Sequence, residues 1–348
     1  VLFAATGDGL EMRVGTDTFF NCAAAGGGDG NMPCGTFGHV STIVSTRTAG
    51  VDAVTIQTGA GDLVVFTFVD ENGALRSGTV SVATGTPVVK MDTAPISTAI
   101  FGEPAMVLQG PSMPIVVFKV ANDGLKQARF IAGQGFSAAG NALSTSLATF
   151  AVSDAPGMVL GRMPGDTVDA VYMQATNNLS GTMTSGLLKM DAQGHWATTQ
   201  FDVGPTNMRP AMAYVPDAHD SSKGKIYSVY VERGSSVLRM RSSGVIATGS
   251  GTAVQKTPVF GFDATFDNGW TKGFGVDLMF EPGKDSNLRA AVVYSFGTTS
   301  GKTTVLPLAD GIVDLTYGSF NDWGQIGKGL CAGVANPGGT VASPMACH

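Results

Sequence analysis

Short apolar runs broken by turn-forming clusters recur along the whole chain, and no stretch carries the 3.6-residue spacing of an amphipathic helix. Leu63–Val69 runs into Asp70-Glu71-Asn72-Gly73, and Ile115–Val120 into Asn122-Asp123-Gly124. Leu187–Met190 leads to Asp191-Ala192-Gln193-Gly194, Ile226–Val231 to Glu232-Arg233-Gly234, and Ala290–Phe296 to the Gly297–Gly301 turn. Asn-Gly and Asp-Gly supply the positive φ that tight hairpins require. A further strand follows each turn, as in Leu75-Arg76, Leu125-Lys126 and Val237-Leu238-Arg239. The pattern predicts antiparallel sheet throughout.

The runs have a period. Pro104-Ala105-Met106-Val107-Leu108 recurs as Pro156-Gly157-Met158-Val159-Leu160 and as Pro210-Ala211-Met212-Ala213-Tyr214, with the prolines 52 and 54 residues apart. Stepping back 53 residues reaches Val51-Asp52-Ala53-Val54. Stepping forward 66 meets Val276-Asp277-Leu278-Met279-Phe280, and 53 more meets Gly329-Leu330-Cys331. The longer step predicts an insertion around 257–274, rich in aromatic residues and including Trp270.

A unit of this length with about four strands is the size of a propeller blade. The reading is therefore an all-β, six-bladed β-propeller forming a single domain over residues 1–348, with first strands beginning near 51, 104, 156, 210, 276 and 329. The sixth onset has too little chain after it to finish a blade. Residues 1–14 hold a strand, a Gly7-Asp8-Gly9 turn and another strand, the piece that is missing. Pairing of the N- and C-terminal segments would close the ring and cover its open sheet edge. A pair of β-sandwiches is the competing reading, and it would not predict matching ends.

Composition narrows the class. Charged residues make up 14% of the chain and hydrophobic residues 43%, with 48 glycines and 16 prolines, which excludes helical bundles and disorder alike. A net charge of −6 argues against a nucleic-acid partner, which would need clustered Lys and Arg. No apolar run approaches a membrane span. The start at Val1 is read as a processed or trimmed product, with any signal peptide already removed.

Four cysteines fall as Cys22 with Cys34 and Cys331 with Cys347. Four cysteines allow three connectivities; local pairing in an oxidising compartment is the preferred one. A secreted, extracellular or cell-surface location follows as an expectation, and the sequon Asn178-Leu179-Ser180 decides nothing.

The x-Asp-Gly-x-Leu turns between apolar strands resemble those of bacterial and fungal sugar-binding propeller lectins. Those lectins carry a tryptophan in each blade, whereas this chain has three in all: Trp196, Trp270 and Trp323. Six blades are also similar to the sialidases, whose Asp-boxes Thr265-Phe266-Asp267-Asn268-Gly269-Trp270-Thr271 approaches once, with Trp and Thr reversed. The resemblance is one of architecture, and no family motif is complete.

The candidate chemistry is sparse. Gly297-Thr298-Thr299-Ser300-Gly301-Lys302-Thr303 has three residues between its glycines where a phosphate loop needs four, so a hairpin is expected. Gly26–Asn31 offers Asp29 and Asn31 to a calcium ion, too few oxygens for a site without many carbonyls. No other cofactor is indicated.

If the proline-led strands are innermost, the residues before them ring one mouth of the channel. Arg47, Glu103, Asp154, Arg209, Lys272 and Lys328 stand there, one per blade. The turns after the second strands would bring Asp70, Asn122, Asp123, Asp191, Glu232 and Arg233 to the same face. Such a concave, charged mouth is the default binding site.

Arg47, Glu103, Asp154, Arg209, Trp270 and Lys328 are thus the ligand-binding candidates, with Glu103, Asp154 and Arg209 as the only catalytic ones. Glycoside hydrolysis needs two carboxyl groups held roughly 5–9.5 Å apart, and cations among them suit ion pairing better. The leading expectation is a non-catalytic binding or structural propeller recognising glycan or protein. A sialidase-like or other glycoside-active enzyme and a subunit of a larger extracellular assembly are the alternatives.

Overall fold

The computed structural model describes residues 2–6, 9–15, 37–81, 86–120, 124–136, 141–142, 156–177, 184–201, 203, 206, 209–215, 224–233, 238–249, 255–267, 276–282, 288–296, 300–309, 312–313 and 316–319. Every regular element among them is a strand, and they form six antiparallel sheets. No helix among the described residues is long and apolar enough to cross a membrane.

The strands follow one another as meanders. β1 (Leu2–Thr6), β2 (Gly9–Gly15) and β3 (Phe37–Val44) make a three-stranded sheet in that order. Blade 1 is β4 (Ala49–Thr58), β5 (Gly61–Val69), β6 (Leu75–Ser81) and β7 (Val88–Met91). Blade 2 is β8 (Phe101–Leu108), β9 (Pro114–Val120) and β10 (Gly124–Ile131), with its fourth position shared by β11 (Gly135–Phe136) and β12 (Asn141–Ala142). Blade 3 is β13 (Gly157–Gly161), β14 (Ala170–Asn177), β15 (Thr184–Met190) and β16 (Trp196–Phe201). Blade 4 is β17 (Ala211–Val215), β18 (Lys225–Val231), β19 (Leu238–Thr248) and β20 (Gln255–Asp267). Blade 5 is β21 (Val276–Pro282), β22 (Leu288–Phe296), β23 (Ser300–Ala309), β24 (Ile312–Val313) and β25 (Thr316–Ser319).

The chain divides into two compact units, one of Phe3–Glu11 and Thr42–Asp267, the other of Val1–Leu2, Met12–Ser41 and Asn268–His348. In the larger unit the core lies between blades. Along β9, Val116 and Phe118 pack with Leu75 and Ile96 of the segment before them. Ile115 and Val117, pointing the other way, pack with Met158, Val171, Met173 and Trp196 of blade 3. Alternate residues thus face different neighbours, and both faces are buried. This explains why second strands do not alternate: Val64–Val69 in β5 and Val171–Thr176 in β14 are buried at every position, Thr67, Gln174 and Thr176 included. Each large apolar side chain so covered contributes roughly 1.5–3 kcal/mol. The outermost strand β7 has one face uncovered and alternates between exposed and half-buried.

First strands begin at Ala49, Phe101, Gly157, Ala211 and Val276, close to five of the six expected onsets. The sixth onset at 329, its pairing with residues 1–14 and all four cysteines lie outside the described residues. Residues 2–15 do form the expected pair of strands. β22 and β23 pair antiparallel with Phe296 opposite Ser300, and residues 297–299 of the expected turn lie outside the described residues.

Two expectations are corrected. Residues 255–267 are not part of an inserted loop but the fourth strand of blade 4, paired along its length with β19. The extra length lies largely in β19, of 11 residues, and β20, of 13. The turn Asp191–Gly194 joins the third and fourth strands of blade 3, not the second and third. In an up-and-down meander it therefore lies at the opposite end of the blade from Asp70–Gly73. The two turns are chemically alike. Asp70 Oδ1 accepts the amides of Asn72 and Ala74, and Asp191 Oδ1 those of Gln193 and His195.

Candidate functional site at the first-strand onsets

The four first strands of the larger unit lie side by side, and a network crosses their N-terminal ends. Arg209, just before β17, donates from Nη1 to Asp52 Oδ2 of β4 at 2.7 Å and to the carbonyl of Pro104 in β8 at 3.1 Å. Its Nε stands 3.9 Å from Glu103 Oε2. Asp52 Oδ2 also accepts the Met106 amide at 2.7 Å. One guanidinium therefore ties blade 4 to blades 1 and 2. The side chains of Arg209 and Asp52 are each 21% exposed, while Glu103 is 43% exposed.

The register explains why Asp52 is there. Ala53, Ala105, Gly157 and Ala211 occupy equivalent places, each pairing with the second strand of its blade. The residue before each is Asp52, Pro104, Pro156 or Pro210. Blade 1 alone among these replaces proline with a carboxylate, and that carboxylate receives both the arginine and a neighbouring strand's amide. The small residues at the next place let first strands approach. A Cβ on Gly157 would come within 2.3 Å of the Pro210 carbonyl oxygen.

Of the sequence candidates, the structure brings Glu103 and Arg209 together. Arg47 is exposed in the segment before β4 and makes no ion pair among the described residues. Asp154, Trp270, Lys272 and Lys328, and the calcium candidates Asp29 and Asn31, lie outside the described residues. Among the described residues no group of three His, Cys, Asp or Glu side chains is placed to hold a metal. The sequence reasoning missed Asp52. Its signal was the break in the proline repeat.

The opposite end of blade 3 carries a second polar cluster. Asp166, in the connection between β13 and β14, accepts the Met163 amide at 2.9 Å and hydrogen bonds from Tyr172 Oη and Lys189 Nζ. Burial opposes its ionisation, but the bonds from Lys189, Tyr172 and the Met163 amide outweigh this and hold its pKa below the usual carboxylate range. Burial, then the bond to Asp166, raise the Tyr172 pKa. Trp196, one of the three tryptophans, is 4% exposed and donates its indole N–H to Gln127 Oε1 at 3.2 Å. It is a packing residue between blades 2 and 3.

No family model and no curated protein matches the chain. Among solved structures it is similar to AofleA from Arthrobotrys oligospora, at 12% identity and a TM-score of 0.53, covering 81% of this chain and 76% of that one. A triple arginine-to-alanine mutant of AofleA gives the same identity and coverage and a TM-score of 0.55. The Aleuria aurantia lectin, described as a six-bladed β-propeller with a novel fucose recognition mode, aligns at 14% identity and a TM-score of 0.48 over 80% of each chain. With the antiparallel meanders above, the likeness to AofleA makes the fold of this chain an all-β propeller.

Proposed function

We propose that this chain is a non-catalytic binding propeller of a secreted or cell-surface protein, with a glycan as its ligand. The observation that carries the reading is the Asp52–Arg209–Glu103 network. A glycosidase needs one carboxyl group free to protonate the leaving oxygen and another free to act opposite it. Here Asp52 is held by a guanidinium and a backbone amide, and Arg209 lies between the two carboxylates. These side chains lock first strands together, which suits a rigid scaffold. A chain with only 14% charged residues offers mostly hydroxyl, amide and backbone groups to a partner, a surface matched to neutral polyols.

The test pairs a glycan array with a screen of aryl glycosides and sialosides, using the purified chain. Binding without turnover is expected. Turnover that Glu103→Gln abolishes would make the sialidase-like alternative the correct one. Absence of any glycan binding would leave a protein ligand or an assembly role.

A further inference from the structure

β19 is longer than its place in the blade requires. Tyr227 pairs with Ser242, so Lys225, the first residue of β18, falls opposite Gly244. Val245–Thr248 run on past it, paired on one side with residues 255–258 of β20. On the other side no strand pairs with them among the described residues. Third strands elsewhere in the larger unit have no such overhang. β6 and β15 stop short of where their second strands begin. β10 passes that point by Ile131 alone, and Ile131 itself pairs with Gly135.

The two edges of this ribbon are not alike. Sheets blunt an exposed edge with charge or with proline. The outer strand has both: Lys256 lies opposite Ala247, and Pro258, which has no N–H to give, lies opposite Val245. The inner edge has neither, since no residue from Ser242 to Val254 is charged and none is proline. The arginines of β19, Arg239 and Arg241, sit where β18 covers the strand, opposite Tyr230 and Ser228. Val245, Ile246 and Thr248 are β-branched, the type that favours extended backbone. Val245 is 48% exposed, and a Cβ on Gly244 would meet nothing within 4 Å. A two-stranded ribbon is marginal by itself, and its edge N–H and C=O groups call for a third strand.

We propose that Val245–Thr248 pairs antiparallel with the same segment of a second copy of this chain, joining two propellers in a two-fold dimer. A strand laid against itself must not repel itself, and an uncharged, β-branched segment meets that condition where a charged edge would not. Lys256 and Pro258 guard the outer edge, so the contact closes at two copies and does not grow into a fibre. The shared ladder is short, so the dimer forms and dissociates with concentration. This inference stands apart from the glycan reading and does not depend on it.

The experiment follows the full chain by sedimentation equilibrium from about 1 to about 300 μM. The mass should rise from that of one chain towards that of two, and Val245→Lys should weaken the association about tenfold or more. Val88→Lys, at a position 59% exposed on the outermost strand of blade 1, should not. Circular dichroism melts check that each variant is folded. Hydrogen exchange on wild type gives a second reading, independent of any substitution: amides 245–248 should exchange about fivefold more slowly at the high concentration than at the low one. A chain that stays monomeric throughout would overturn the proposal. So would a dimer that a folded Val245→Lys leaves intact, or amides 245–248 that exchange at one rate at every concentration, whether fast or slow; a uniformly slow rate would mean that the edge is covered from within the chain.

Discussion

At the scale of single residues, the approach of first strands to one another places narrow limits on side-chain size. Gly157 is the sharpest case, since the group its Cβ would strike is the Pro210 carbonyl and not a flexible chain end. Gly157→Ala is expected to force β13 and β17 apart and cost about 1–3 kcal/mol, by the overpacking argument. Urea denaturation reads this directly; an unchanged midpoint would mean that the strands are not in contact there. The same row shows what could be seen in the chain and what could not. The proline at three of four positions was visible as a repeat, and so was its replacement by Asp52. That Arg209, 157 residues away, would find that carboxylate was not, because the pairing depends on how far the strands turn about a common axis.

At the scale of elements, the β13–β14 connection shows how one half-buried carboxylate fixes a loop. The pKa of Asp166 is lowered in the folded chain, so its contribution is fully present above the unfolded carboxylate pKa of about 3.9 and is lost as pH falls through the folded value. Asp166→Asn should therefore destabilise the protein by about 2 kcal/mol at neutral pH, with the gap to wild type narrowing below about pH 4. Urea melts across a pH series would check it; a gap independent of pH would show that packing, not charge, is what Asp166 supplies. The two Asp-capped turns teach the complementary lesson. Asp70–Gly73 and Asp191–Gly194 share their hydrogen bonds and a glycine at positive φ, 75° and 87°. Local chemistry specifies a turn, but which strands it joins depends on the count of strands before it. In blade 3 the long β13–β14 connection displaces that count from the sequence pattern.

At the scale of the whole molecule, ring closure is the remaining expectation: residues 1–14 complete the blade that begins near 329, with Cys22–Cys34 and Cys331–Cys347 bridged locally. Each short loop so closed would contribute up to roughly 3 kcal/mol on the chain-entropy model. Non-reducing peptide mapping is expected to return those two pairs; a peptide joining Cys22 to Cys331 or Cys347 would refute the pairing. The amino-acid sequence by itself determined the class, the approximate blade length and the starts of five first strands. Alternation and turn chemistry are local, and a repeated unit reports its own length. Tertiary structure alone decided where the extra residues of blade 4 go, since lengthening two paired strands and inserting a loop look the same along the chain. It alone decided the long-range ion pair. Asp52 and Arg209 are brought together as blades 1 and 4 meet, and no local pattern encodes which blades meet.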